Sequence, residues 1–130
     1  MGKEPTQFTK ILNEGSTAIY QVNLLDENET PIPASGIDSL TLHFYELESG
    51  ENTIINGRDQ QNVLNANDVT VDENGLLTWN IQPEDGEILG FSENEFEVHR
   101  AEFDCVFNGG AGRATWDIDL VYRDLRKVNV

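Results

Sequence analysis

IINGRDQQNVLNANDVTVDENGLLTW, residues 54–79, is the stretch of sequence that decides the fold. Its second half places the tetrapeptide DENG between two short runs of β-favouring residues, 69–71 and 76–81. A glycine after three polar residues supplies the left-handed backbone position that a tight turn requires. The pattern therefore predicts a β-hairpin with Gly75 in its turn.

The first half of this stretch, residues 56–68, is polar and rich in asparagine and aspartate. Such a composition is typical of a connection between strands. Within it, we expect residues 60–64 to form a short helical turn with Asp59 as the N-cap, because a side-chain carboxylate can accept from the first free N–H groups of a helix.

Alternation of apolar and polar residues on either side predicts further strands. The alternation is clearest in residues 114–122. In residues 95–107 the apolar positions change sides along the run, which predicts a bulge or bend between residues 99 and 102. The other predicted strands are residues 17–25, 37–47 and 53–55. The predicted core contains Leu40, Leu42, Phe44, Trp116, Ile118 and Leu120.

The fold class follows from about seven predicted strands, few helical signals and turn clusters spaced roughly ten residues apart. This pattern predicts an all-β protein, an antiparallel β-sandwich of immunoglobulin-like type. Residues 16–130 are expected to form a single domain. Residues 1–15 are interrupted by proline and glycine, and we expect them to be an arm that becomes ordered on a partner.

The chain has 130 residues, of which 38% are hydrophobic, and this suits one modest core. A single cysteine, Cys105, leaves no internal disulfide framework, which fits folding in a reducing cytoplasm. Neither a signal peptide nor a transmembrane span is expected from the apolar runs.

The net charge of −16 is unevenly distributed. Residues 11–99 hold 18 acidic residues and one basic residue, Arg58, whereas residues 100–130 hold five of each sign. Nucleic acid and anionic membranes are therefore not expected as partners, because their phosphates would be repelled. Two interpretations remain: the charge serves solubility, or an acidic face meets a basic partner.

Metal sites have weak candidates. The soft ligands are His43, His99 and Cys105, and the last two are six residues apart on one predicted strand, roughly 20 Å. A shared zinc ion would need a sharp bend, so packed side chains are favoured. The acidic clusters at residues 26–29 and 72–75 could attract calcium, but neither matches the known binding loop, and turn-forming aspartates explain both.

Paired carboxylates are the nearest approach to catalytic chemistry. Glu95 with Glu97, and Asp117 with Asp119, could serve acid–base work at a glycosidic bond, but alternate acids on a strand usually form its solvated face. No nucleophile motif or phosphate-binding glycine loop is present. We therefore expect no catalytic residues, no cofactor and no metal, and predict that the protein is not an enzyme.

Four phrases carry a resemblance to a known family: residues 55–79, SLTLHFYELESG (39–50), EFEVHRAEF (95–103) and DLRKV (124–128). Together they resemble small virion proteins of tailed bacteriophages that have an immunoglobulin-like sandwich. The likeness covers residues 16–128. It implies a structural role in the particle, with no catalytic residues to carry over.

The expected role is capsid decoration on the outside of the head, with the protein made in the host cytoplasm and located in the virion. The expected partners are the major capsid protein or neighbouring virion proteins, with self-association as a further option. Alternatives are a neck, tail or baseplate component, or a module that binds host glycans through Trp79, Tyr45 or Tyr122. The predicted partner-contact residues are the cations near the two ends: Lys3, Lys10, Arg113, Arg123, Arg126 and Lys127.

Overall fold

The computed structural model describes residues 6–90 and 95–127. Half of the residues lie in strands, and the described residues contain no helix longer than a short 3₁₀ turn. The all-β prediction is thereby confirmed. The strands are β1 (Thr6–Gln7), β2 (Leu12–Asn13), β3 (Ala18–Asn23), β4 (Ile37–Glu46), β5 (Thr53–Ile54), β6 (Gln61–Asn62), β7 (Val69–Val71), β8 (Leu76–Ile81), β9 (Phe96–Phe107) and β10 (Gly112–Arg123).

These strands form two sheets. The larger sheet has seven strands in the order β1-β10-β9-β4-β5, with β2 also beside β10 and β6 also beside β4. It is mixed, because β1 and β2 run parallel to β10 whereas β4, β9 and β10 are antiparallel. The smaller sheet is antiparallel, in the order β3-β8-β7.

The predicted hairpin is confirmed as β7 and β8. Gly75 has a φ of 80°, and a Cβ at this position would lie 2.9 Å from the carbonyl oxygen of Leu24, so both the backbone angle and the space require glycine. The Oδ1 atom of Asp72 accepts hydrogen bonds from the backbone N–H groups of Asn74 and Leu76, each at 2.9 Å. The turn is therefore held by its own aspartate.

Side chains from both sheets meet in one core. On β4, Leu40, Leu42 and Phe44 are fully buried, which confirms the predicted face of that strand. The ring of Trp79 on β8 packs edge-on against Phe44 at 5.3 Å and against Phe103 at 5.8 Å between ring centres. Trp79 therefore joins the two sheets through aromatic contacts.

Trp116 does not lie as deep as predicted. Ile118 and Leu120 are buried, but Trp116 is only half-buried. Its ring stacks on Phe103 at 5.0 Å, and its Nε1–H donates to the hydroxyl of Tyr20 at 3.0 Å. The predicted face of β10 is correct, but among the described strands only β9 pairs with β10 at Trp116, and the ring remains partly accessible.

The predicted bulge in β9 is wrong. The register between β9 and β10 is continuous from Phe107 to Phe96. One face of β9 is buried along its whole length, and that face includes Glu97 and His99. The apparent change of sides arose because these two buried residues are polar. The irregularity in this sheet lies in β4 instead, between Ile37 and Ser39.

The helical turn predicted at residues 60–64 is also wrong. Gln60 has a left-handed φ of 48°, and β6 (Gln61–Asn62) pairs with Thr41 and Leu42 of β4. The backbone N–H of Val63 then donates to the carbonyl oxygen of Leu40 at 2.9 Å. The free backbone groups along the edge of β4 thus bind this segment as a strand, which local helix signals could not compete with.

Residues 6–15, predicted as part of a partner-ordered arm, instead lie along β10. Thr6 pairs with Ile118 and Leu12 pairs with Tyr122, both in parallel register. The N–H of Phe8 donates to the carbonyl oxygen of Asp119 at 2.8 Å, and the side chain of Leu12 is buried in the core. The expectation of order only on a partner is therefore wrong for this segment; residues 1–5 lie outside the described residues.

Candidate functional site

A buried ion pair joins Arg58 to Asp85. Both side chains are 0–1% exposed, with Nε of Arg58 at 2.6 Å from Oδ1 of Asp85 and Nη2 at 3.1 Å from Oδ2. The remaining guanidinium N–H groups donate to Asp68 at 2.9 Å, to Gln61 at 2.8 Å and to the carbonyl oxygen of Asn67 at 3.0 Å. The cation is therefore fully hydrogen-bonded, which is the condition under which a buried charge is tolerated.

Local structure presents the two partners to each other. Asp85 lies in the 3₁₀ turn Pro83–Gly86, and its Oδ2 also accepts from the N–H of Gln82 at 2.8 Å. Burial lowers the pKa of Arg58, but its hydrogen bonds to the carboxylates of Asp85 and Asp68, and their negative charges, outweigh this effect and raise the pKa above its ordinary value. Arg58 is the one basic residue in residues 11–99, and its charge is used internally.

A second buried pair adjoins the first. Nε2 of His99 lies 2.6 Å from Oε2 of Glu97, and Nδ1 of His99 lies 3.1 Å from the backbone carbonyl oxygen of Asp85. Both ring nitrogens face acceptor atoms, so an N–H at either position has a hydrogen-bond partner. Burial raises the pKa of Glu97, but hydrogen bonds from His99 and from the N–H groups of Leu89 and Gly90 hold it below its ordinary value.

These two pairs are closed off by tight packing. The ring of Tyr122 lies 5.0 Å from that of His99, and a Cβ on Gly86 would approach the Tyr122 ring to 2.5 Å. Burial also raises the pKa of Tyr122. Glu97 and His99 are 0–1% exposed, so no solute can reach them without opening the structure. We assign this cluster a structural role, and the prediction that Glu97 belongs to a solvated face is wrong.

The predicted metal ligands do not converge. His43 lies on the face of β4 opposite to the core-facing His99 and Cys105, with its Nδ1 3.3 Å from Asp59. Burial, with nearby Asp104, raises the pKa of the Cys105 thiol to about 11. No group of three or more His, Cys, Asp or Glu residues that could hold a metal occurs among the described residues.

The two acidic loops use their first aspartate to build turns. Oδ1 of Asp26 accepts from the N–H groups of Asn28 at 2.8 Å and Thr30 at 3.0 Å, as Asp72 does in the β7–β8 hairpin. The turn-forming explanation of both clusters therefore agrees with the structure.

The predicted partner-contact cations fall into separate places. Arg113 lies at the start of β10 and binds Asp104 through two bonds of 2.9 and 2.6 Å. Arg123, at the other end of that strand and ten residues away, roughly 33 Å, lies 3.0 Å from Glu95. Nearby Arg126 lies 3.1 Å from Asp124. Lys10 is exposed; Lys3 and the side chain of Lys127 lie outside the described residues.

The aromatic residues proposed for glycan binding are not on the surface. Trp79 and Tyr122 are fully buried, and Tyr45 is 6% exposed with its hydroxyl donating to Glu102 at 2.5 Å. None of the three candidates therefore presents an exposed ring to a sugar; each packs within the protein.

One accessible feature of the described residues is a groove between two strand edges. β3 pairs only with β8 among the described strands, and residues 112–117 of β10 pair only with β9. The two free edges flank a groove of about 990 Å³. Its lining is mainly apolar and includes Tyr20, Val22, Ile32, Ala114 and Trp116.

Asp117 lies at this edge. It lies directly across from Glu102 in the β9–β10 register, and it makes no ion pair or hydrogen bond to a described residue. Burial, then the nearby charge of Glu102, raises its pKa, although Arg100 acts in the opposite direction. By contrast, Asp119 binds Arg100 at 2.8 and 3.0 Å. The sequence pattern placed Asp117 and Asp119 in one pair of carboxylates. In the sheet, Asp117 lies across from an acid and Asp119 lies across from a base.

No helix in the described part of the chain is long and apolar enough to cross a membrane. Comparison with known protein-family models, with curated proteins and with solved structures gives no match. Functional inference for this chain therefore rests on its own residues.

Proposed function

We propose that this chain is a non-enzymatic structural protein of a tailed-bacteriophage particle, and foremost a decoration protein bound to the outside of the head. In this proposal the two sheets form an immunoglobulin-like sandwich, and the partners are the major capsid protein or neighbouring virion proteins. The alternative position in the particle is the neck, tail or baseplate.

The observation that carries the proposal is the contrast between polar pairs buried inside the protein and strand edges that lie beside an accessible groove. Two of its buried polar pairs, Arg58 with Asp85 and Glu97 with His99, bind each other inside the protein. The described residues also form a groove between strand edges that no other described strand covers, and strand edges bind other polypeptides through main-chain hydrogen bonds. This combination supports a protein that acts through contacts with other proteins.

The net charge of −16 is compatible with the same proposal. An acidic domain outside a shell is repelled by nucleic acid, so it would not compete with coat protein for the packaged genome. The assignment to a phage particle comes from the sequence resemblance across residues 16–128. The negative charge and the strand edges are compatible with a position on the outside of the head.

Quantitative proteomics of purified particles tests the proposal. The protein should be present in many copies and should be released together with coat protein. A few copies per particle would move it to the neck, tail or baseplate. Absence from particles would overturn the virion proposal, and binding in a glycan array would then favour a host-surface module.

A further inference from the structure

Among the described residues, no strand other than β9 pairs with the first half of β10, so one of its edges is uncovered there. β1 covers Ile118 and Asp119, β2 covers Tyr122 and Arg123, and no described strand covers residues 112–117 on that side. The carbonyl oxygens of Asp119 and Arg123 accept from the N-terminal segment, so odd-numbered residues of β10 face this side. Because alternate residues of a strand face the same neighbour, Arg113 and Thr115 direct both their backbone N–H and C=O groups, and Asp117 its N–H, to the uncovered side.

This edge already accepts polypeptide. Two short pieces of the same chain, β1 and β2, are bound to β10 in parallel register through main-chain hydrogen bonds. Beside the uncovered half lies the apolar groove, with Tyr20 and Trp116 in its lining. An added strand could therefore hydrogen-bond to the backbone of β10, and every second side chain of it could pack in the apolar groove.

Charge at the edge favours one type of strand. Asp117 and Glu102 are like charges directly opposite each other, which destabilises neighbouring strands. The other acids in these rows have partners, because Asp119 binds Arg100 and Asp104 binds Arg113. A basic side chain next to Asp117 would relieve the repulsion between Asp117 and Glu102.

We propose that residues 113–117 of β10 bind an extended segment of a partner protein as an additional strand. The segment carries apolar residues at alternate positions, which enter the groove, and a lysine or arginine at the outward position beside Asp117. The inference rests on the strand edge and the register and does not require the virion assignment, so a failure in particle proteomics leaves it standing.

The probe is an acetylated and amidated peptide, Thr-Val-Lys-Val-Thr-Val-Thr, added at millimolar concentration to ¹⁵N-labelled full-length protein. Amide hydrogen exchange of Arg113, Thr115 and Asp117 should slow on addition, because their outward N–H groups become bonded. A peptide with glutamate in place of lysine should bind about two- to fivefold more weakly. A peptide of the same composition with its lysine moved to an inward-facing position controls for net charge.

Two variants make the site specific. Thr115→Pro removes one outward N–H, which an edge strand tolerates, and should abolish peptide binding while leaving the melting temperature of the free protein nearly unchanged. Asp117→Lys should reverse the preference between the lysine and glutamate peptides. If Thr115→Pro proves unfolded, the reversal with Asp117→Lys decides the matter alone.

Three results would overturn the proposal. One is no protection of the three amides at millimolar peptide. Another is a free protein that is dimeric by sedimentation with these amides already protected, which would make a second copy the occupant. The third is protection that is present in the free monomer and disappears when the chain is shortened to begin at Thr6, which would make the chain's own terminus the occupant.

Discussion

Arg58 and Asp85 form a bidentate ion pair inside the protein, 2.6 and 3.1 Å between the paired atoms, although 27 residues separate them in sequence. The pair ties the loop that carries Arg58 to the 3₁₀ turn Pro83–Gly86. The guanidinium also lies 5.6 Å from the ring centre of Trp79, so the pair is continuous with the aromatic core.

Arg58→Ala should destabilise the protein by about 3–5 kcal/mol, because it leaves the Asp85 carboxylate buried without its counter-ion. The measurement is urea unfolding at neutral pH. Arg113→Ala is the matched control: it breaks a bidentate pair of similar geometry with Asp104 on the surface, and should change stability little. Equal losses in the two variants would show that burial of the Arg58 pair does not govern its contribution.

Replacing both partners tests the same point from the other side. Arg58→Met with Asp85→Leu removes the two charges together, so the double variant should be clearly more stable than either single variant. An additive loss would contradict the view that the cost comes from an unpaired buried charge.

Trp79→Ala should cost about 3–5 kcal/mol, the usual range for a fully buried aromatic side chain. Trp116→Ala should cost less, because its ring is half-buried at the strand edge. The two free energies of unfolding, measured under the same conditions, rank the two tryptophans. A larger loss for Trp116 would mean that the edge of β10 is covered in solution.

Local patterns were sufficient to predict the β7–β8 hairpin and the core faces of β4 and β10. They failed where a residue's environment is set by distant chain. Glu97 and His99 have the character of surface residues in the sequence, but His99 contacts Asp85, which is 14 positions away. The signal that could have located the buried cluster was Arg58, the single base among 18 acids.

The open edge was equally beyond local patterns. Which half of β10 lacks a neighbour depends on how far the segment from Thr6 to Asn13 runs along it, and that segment was predicted as an arm. The same long-range fact explains why Trp116, which has the clearest alternation around it, is less buried than Trp79. The burial of Trp116 and Trp79 therefore follows the position of each strand in its sheet rather than the alternation of apolar and polar residues.

Asp117→Asn should raise the stability at pH 7 by about 0.2–1 kcal/mol, because it removes a like charge opposite Glu102. The pKa of Asp117 is raised in the folded state, so its ionised form opposes folding above the ordinary value of 3.8. The gain should therefore vanish as the pH falls below that value. Asp119→Asn is the control, and should lose stability because Asp119 binds Arg100.

We expect charge to affect the rate of attachment through Arg123 and Arg126, at and after the C-terminal end of β10, more than the affinity of the attached protein. Arg126→Glu should slow assembly onto particles, whereas wild-type protein that is already bound should resist moderate salt, because exposed ion pairs contribute little to affinity and charge mainly steers encounter. Time courses of binding at two salt concentrations measure both effects. Complete release at moderate salt would make the interface chiefly electrostatic.

The Glu97–His99 pair should make stability depend on acid pH. The folded-state pKa of Glu97 is below its ordinary value of 4.5, so its contribution to stability is present above that value and is lost as the pH falls through the folded pKa. Glu97→Gln should therefore be destabilised relative to wild type at pH 7, and the difference should shrink below about pH 4.5. Urea unfolding at steps from neutral to acid pH measures it, and taking the difference between the two proteins cancels the titration of the other acids.

Glu48→Gln provides a control of opposite sign: burial and the neighbouring Glu46 raise the pKa of Glu48, so removing its charge should stabilise the protein at pH 7 and have less effect in acid. A Glu97→Gln difference that stays constant across this range would show that the carboxylate charge of Glu97 does not stabilise the cluster.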